Sequence, residues 1–282
     1  MRRSGATLAL GVVLDGEAED DQVIPVPKDA GRQLASLSWT EVAERIGADS
    51  VILLPIGAVE AHGPHLGLDT DVIIAQAAAQ SAADRFTAIG LHAWIAPPIW
   101  YGVSFVGRTF PGTTPVAPEP FRGYLEWVLR GLHGVAGSDV IVVNAHLEPA
   151  HFDAIHSACR TISAETGACI HAVDHRAPRW ASRLGDEFSG GSRHAGSYET
   201  SIVLAVDADA VRKDLLANLA PVWIDLPARL RAGARTFDEA GGTQAYFGDP
   251  ARSTVEEGKR LLDALGEIVV ESFLEARSLM GR

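Results

Sequence analysis

Residues 51–71 read VILLPIGAVEAHGPHLGLDTD. The first nine, VILLPIGAV, form an unbroken apolar, β-rich run, the pattern of a strand buried on both faces. Glu60, His62, His65, Asp69 and Asp71 follow at once, two imidazoles and three carboxylates within twelve positions. Such groups are costly in an interior if left unpaired. They are also the ligand types that hard and borderline divalent metals take. A buried strand that runs into a metal-type cluster directs attention to the carboxyl ends of strands in a parallel α/β sheet, where ligands bind.

Working outward, DVIIAQAAAQSAADRF (71–86) has helical spacing with alanine filling, and Gly90 stops it. HAWIAPPIWYGVS predicts a second strand leading into a loop through Gly107, Pro111 and Gly112. PEPFRGYLEWVLRGLHGVAG predicts a helix with proline near its start and glycine at its end. DVIVVNAH (139–146) is a third apolar run, and PAHFDAIHSACRTISAETG is again helical, opening at Pro149. ACIHAVDH reads as a fourth strand and ETSIVLAVD (199–207) as a fifth. STVEEGKRLLDALGEIVVESFLEARSL closes the chain as a long helix, while near its beginning SWTEVAERIG offers a serine N-cap ahead of a short one. Strands alternating with helices of this length imply a single-domain, three-layer α/β/α fold around a mostly parallel central sheet. No repeat or inter-domain linker interrupts residues 38–282, which are read as one domain. Residues 1–37 are an N-terminal arm. Their opening, MRRSGATLALGVVLDGEAED, is basic and then apolar. Its apolar stretch is short, however, and an acidic cluster stands where a small-residue cleavage site belongs, so it is read as an arm rather than a signal peptide.

Composition narrows the function class. Of 282 residues, 47% are hydrophobic and 21% charged, as in a globular enzyme. A formal net charge of −12 argues against nucleic acid as the partner, because such binding rests on phosphate neutralisation. No apolar run reaches bilayer length, so no membrane partner is expected. Two cysteines, Cys159 and Cys169, form no metal-type pair and suit a reducing, cytoplasmic setting.

The cluster gains a partner further along. Alternation puts Glu60 and His62 on one side of an extended backbone. After the third strand, Asn144 introduces His146-x-Glu148, the same chemistry at the same spacing. A third polar cluster, RHAGSYETS (193–201), places His194 and Glu199 just ahead of the run SIVLAVD. Carboxylates gathered at one sheet end without cations would shift their pKa values or destabilise the fold. His92, His133, His156 and His171 sit in element patterns outside these motifs and are read as structural. His65 is read as orienting a ligand, and His151 and His175 as possible cleft residues. Trp100 and Tyr101 are read as able to wall a small-molecule pocket.

Taken in order, VILLPIGAVEAHGPHLGLDTD, VNAHLE, HAGSYETS and FGDPARSTVEEGK resemble the signature of the creatininase (creatinine amidohydrolase) family, over roughly residues 38–275. The resemblance implies an α/β protein, often a homohexamer, that hydrolyses non-peptidic or unusual C–N amide bonds at a two-metal site. It implies that Glu60, Asp71 and His146 hold one divalent ion and that His62, Asp71 and Glu148 hold the other, with Asp71 bridging. His194 matches a position near the leaving group, and Glu199 the acid of the HAG-x-x-ET motif. The chain departs from many members in Leu147-Glu148-Pro149, where they carry Gly-Gly-Asn. Leu147 stands where creatininase itself has an aromatic residue. Asp69 stands where a glycine is usual; metal support and contact with a substrate amine are both open for it.

These readings give a metal-dependent amidohydrolase cutting a cyclic amide, lactam or formamide of a small molecule through a hydroxide activated by two ions, zinc or manganese. Glu148 would handle the nucleophile's proton and His194 would protonate the leaving nitrogen; Glu199 becomes the base if Glu148 is purely a ligand. Two rivals stand beside it: a metallopeptidase trimming a short peptide, favoured by a wide cleft, and a non-catalytic metal-binding member.

Overall fold

Along a strand, alternate side chains point to opposite faces, and in this chain both faces are filled. The computed structural model describes residues 32–281, so most of the expected N-terminal arm lies outside the described residues. Four strands, β1 (Val51–Ile56), β2 (Ala93–Ile95), β3 (Asp139–Asn144) and β4 (Ile170–Ala172), make one sheet in the order β2-β1-β3-β4. Every pairing is parallel, with Val51 opposite both Ala93 and Asp139, and Val140 opposite Ile170.

Of the six longer helices, α1 (Trp39–Arg45) precedes the sheet, and α2 (Thr70–Ala88), α3 (Pro118–His133), α4 (Pro149–Thr166), α5 (Ser197–Val206) and α6 (Val255–Leu279) pack its two cores. Val51, Leu53, Ile141 and Val143 face a core shared with α2, α5 and α6, through residues such as Phe86, Ile202 and Phe273. Ile52, Leu54, Val140 and Val142 face a second core with α3 and α4, built on Phe121, Leu125 and Ile155. The fold is thus the expected three-layer α/β/α arrangement. Local signals sit where they should. Ser38 and Glu41 form a capping box on α1, α3 and α4 each open on a proline, and Gly167 ends α4 in the left-handed conformation.

Two sequence readings are corrected. The run 199–207, expected as a fifth strand, belongs to helix α5. Tyr198 through Val203 are buried without a break, because α5 is wedged against α2 and α6. A helix apolar all round loses its 3.6-residue signature and mimics a buried strand. The strand expected over 51–59 stops at Ile56, and the second and fourth strands are only three residues long. Arg32 pairs with Asp84 of α2, and Gln33 bridges Ile95, so the last residues of the 1–37 segment lie on the sheet edge. Among the described residues, no helix is long and apolar enough to cross a membrane.

Candidate metal centre

The chain leaves β1 at Gly57, where a Cβ would lie 2.7 Å from the Val72 nitrogen and 2.8 Å from Asp71 Cβ. Only a residue without a side chain lets the first turn of α2 seat against the strand end. That seating carries Asp71 to Glu60 and His62. The same end of β3 supplies His146 and Glu148 ahead of α4, and the turn before α5 supplies His194, with Glu199 in the helix's first turn. Six of these side chains are buried and Glu148 is partly so.

Three imidazoles are fixed alike. His62 Nδ1 donates to the Glu60 carbonyl at 2.9 Å, His146 Nε2 to the Val103 carbonyl at 2.8 Å, and His194 Nε2 to the Ala61 carbonyl at 2.9 Å. A carbonyl oxygen can only accept, so those nitrogens carry the protons. The opposite nitrogen of each neutral ring then presents a lone pair. His62 Nε2 faces Asp71 Oδ1 at 3.2 Å and Glu199 Oε2 at 3.6 Å. His146 Nδ1 faces Asp71 Oδ2 at 3.1 Å and Glu60 Oε2 at 3.3 Å, and His194 Nδ1 lies 3.9 Å from Glu60 Oε2.

Lone pairs set against carboxylates require positive charge between them. Protons alone would have to charge buried rings. Burial opposes this at His62, yet Asp71 and Glu199 raise its pKa to about 10. Asp71, despite its burial, is held far below the carboxylate range by His62 and His146. Even so, Asp71 Oδ2 makes no hydrogen bond of acceptable geometry. Divalent cations answer the whole set while leaving the rings neutral, and ligand histidines characteristically donate their far nitrogen to a backbone carbonyl or carboxylate. The residues fit a metal centre.

Three groupings bring one ligand atom per residue within 4.8 Å of the others: Glu60–His146–Glu148, His62–Asp71–Glu199, and Glu60–His62–His194. Asp71 faces both His62 and His146. Glu148 therefore sits with Glu60 and His146 rather than with His62, and Glu199 takes the place beside His62. Burial pushes the Glu199 carboxyl up to about 8. Its Oε2 accepts from the Ala195 nitrogen at 2.6 Å, and Ala195 holds a left-handed φ of 50° between His194 and Gly196.

The support of the centre comes largely from the loop after β2. Ser104 Oγ donates to Glu60 Oε1 at 2.7 Å, the Val106 nitrogen to Glu148 Oε2 at 3.0 Å, and the Val103 carbonyl holds His146. Asn144 accepts from His151 Nε2 and binds the His146 backbone, so His151 braces the β3 end. None of these roles was read from sequence, since backbone atoms carry most of them; only the glycine-rich loop hinted at a close approach. His65 hydrogen-bonds Thr200 Oγ1 at 2.9 Å and braces α5. Asp69 is the N-cap residue of α2 and does not line the cavity. Trp100 and Tyr101, expected as pocket walls, are 44% and 53% exposed and lie outside it.

The centre opens into a cavity of about 580 Å³, lined by apolar Leu147, Leu226, Leu230 and Phe237 and by Arg176, Arg193 and Arg231. That volume lies within the range of pockets for ligands well above fragment size. A second cavity of about 280 Å³ shares the three arginines and Pro227 with the first.

Known proteins resemble this chain in sequence and fold. The family model described as creatinine amidohydrolase matches residues 35–273. A mycofactocin precursor peptide peptidase of Mycobacterium ulcerans is 35% identical over 217 residues, covering 74% of this chain and 79% of the relative. A creatinine amidohydrolase of Pseudomonas putida is 29% identical over 204 residues, covering 67% of this chain and 76% of the relative. Among solved structures, a manganese creatininase superposes with a TM-score of 0.63 at 23% identity, over 86% of this chain and 98% of that one. A zinc–zinc creatininase variant gives 0.66 at 21%, over 86% and 97%. At those identities the superpositions speak for the fold. The family match and the bacterial relatives go further: this chain belongs to the creatinine amidohydrolase (creatininase) family and to its hydrolase class.

Proposed function

We propose that the protein is a metal-dependent hydrolase of a C–N amide bond, using two divalent ions held by Glu60, His62, Asp71, His146, Glu148 and Glu199. The observation that carries this is the orientation of the rings: three imidazoles, each tied through one nitrogen to a backbone carbonyl, turn the other nitrogen into one carboxylate cluster. Asp71 serves both ions. Relatives in zinc and manganese forms support either metal, as does the mixed imidazole and carboxylate set.

Bound ions would supply the charge that acidifies a water and polarises a scissile carbonyl. The chain's own residues do the rest. Burial, and then the charge at His62, hold the His194 pKa down to about 4, so at neutral pH its Nδ1 is free to take a proton. From there it can pass the proton to the departing nitrogen. Glu148, partly buried and pushed up by burial, is poised to exchange a proton with the nucleophile. Phe237, stacked on the His194 ring at 4.2 Å, excludes water there together with Leu226 and Leu230.

Of the two substrate readings, the end of a short peptide is favoured over a small cyclic amide or formamide. The cavity is wide, Phe237 is its only aromatic wall among the described residues, and it continues into a second chamber. Relatives named as peptidases support the same reading. Cytoplasmic action, read from the two free cysteines, and assembly as a homohexamer, carried from the family, complete the proposal.

A hydrolysis panel on metal-loaded protein tests this: creatinine, lactams and cyclic ureides, formamides and short peptides. Metal-dependent cleavage, strongest for peptides, is expected. Protein that stays metal-free after incubation with zinc or manganese overturns the reading.

A further inference from the structure

Three arginines line the cavity that holds the metal centre. Arg176 is spoken for: its guanidinium grips Asp174 at 2.8 and 2.9 Å and lies 3.4 Å over the Phe152 ring. Arg193 is different. It is half-buried, sits 5.0 Å over the Phe188 ring, and makes no hydrogen bond or ion pair with any described residue. Arg231, at the end of the short helix Leu226–Arg231, is exposed and likewise unpaired among the described residues. All three line both chambers, so they form the waist between them.

Resting on the hydrolase reading of the same cavity, we infer that Arg193 and Arg231 bind a carboxylate of the substrate, carried on the amine side of the scissile amide. Three observations support this. First, five fixed N–H donors on a planar group match a carboxylate bidentately, and Phe188 holds the Arg193 plane from beneath. Second, the charge fits a monoanion: three arginines meet two carboxylates there, Asp174 gripping Arg176 and Asp225 near enough to act on Arg193, which leaves one cation over. A dianionic phosphate would not be balanced. Third, Arg193 precedes His194 in the chain, and both line the larger chamber. A proton donor for the leaving nitrogen and an anchor for a carboxylate one carbon away are thus consecutive residues, whose Cα atoms lie about 3.8 Å apart. Burial and the neighbouring Arg176 push the Arg193 pKa below its ordinary value, and a bound anion relieves that strain. The substrate class is an N-acyl amino acid or a peptide cut at its carboxyl-terminal residue. Hydrolysis adds water across the C–N bond and releases an acid and a free amino acid.

Calorimetric titration with N-benzoylglycine and its carboxamide, N-benzoylglycinamide, tests the inference. It reads the arginine wall whether or not metal is bound, so its outcome is separate from metal uptake. The acid is expected to bind at least about tenfold more tightly than the amide. Arg193→Gln and Arg231→Gln should each erode that preference with metal content unchanged, and Arg193→Lys should restore part of it. Because Arg231 is exposed, its variant reports even if Arg193→Gln folds poorly. Equal affinity for acid and amide, absence of binding by both, or a preference that survives in both Gln variants overturns the inference. The last result would mean that groups other than these two arginines hold the carboxylate.

Discussion

His194 holds its proton against the Ala61 carbonyl and keeps Nδ1 3.9 Å from Glu60, whereas His62 and His146 each stand within 3.3 Å of a carboxylate. The difference separates chemistry from metal binding. His194→Ala should keep close to two ions per chain by elemental analysis, while kcat on the best amide falls by roughly 10²–10⁴, the usual worth of a positioned proton donor. Asp71→Ala and Glu199→Ala should lose metal and activity together. Metal loss in the His194 variant equal to that of Asp71→Ala would make His194 a ligand. Glu60, His62, His146 and Glu148 could be picked out beforehand because acid and imidazole recur at a two-residue spacing after apolar runs. Dividing them between two ions could not be done that way. Glu199 reaches His62 only because the turn at Ala195 folds α5 back, a long-range event with no local mark. Ser104 and the Val103 carbonyl were hidden for the same reason.

At the scale of elements, α5 shows where local pattern misleads. Its β-branched run was read as a strand, and its helical state is set by tertiary packing against α2 and α6. The packing is close enough to test. A Cβ on Gly258 of α6 would overlap the Ser201 carbonyl oxygen of α5, a backbone atom that no rotamer change can move. Gly258→Val should destabilise the protein by about 1–3 kcal/mol in urea unfolding. It should also weaken metal retention, since α5 carries Glu199. Stability near that of the parent would mean that the two helices can part freely. The pairing of β4 with α6 gives a pH test. His171 Nε2 meets Ser272 Oγ at 2.7 Å, and burial lowers the His171 pKa to about 4. The unfolded chain binds a proton there near pH 6.5 and the folded chain does not. This contribution is therefore present above pH 6.5 and is lost as pH falls towards 4. His171→Gln should flatten the decline in stability between pH 7 and 5 by about 1–3 kcal/mol relative to the parent, compared in the same metal state. Parallel declines in the two proteins would remove His171 from the account.

For the whole molecule, the layers followed from the sequence because β1 is apolar throughout and β3 from Val140 to Val143, which only a sheet covered on both faces explains. What covers the outer surface was less legible, since association faces have no periodicity of their own. Trp100, Tyr101 and Phe105 on the loop after β2, with Tyr124 and Trp127 on α3, are exposed. A homohexamer of this 29.9 kDa chain would shield some of them, and light scattering at micromolar concentration should report a mass near six chains. A monomer under those conditions contradicts that assembly. One local feature bears on how such a protein could be improved by selection. Ala195 occupies a backbone region that costs an L-residue about 1–2 kcal/mol, and glycine would sit there without that penalty. Glycine, however, gives back a similar amount through the freedom of the unfolded chain. A screen on melting temperature is therefore nearly blind at position 195, while the turn that aims His194 and Glu199 loses its stiffness. Directed evolution for heat resistance could drift to glycine there unnoticed, and only a screen for turnover would hold the alanine in place.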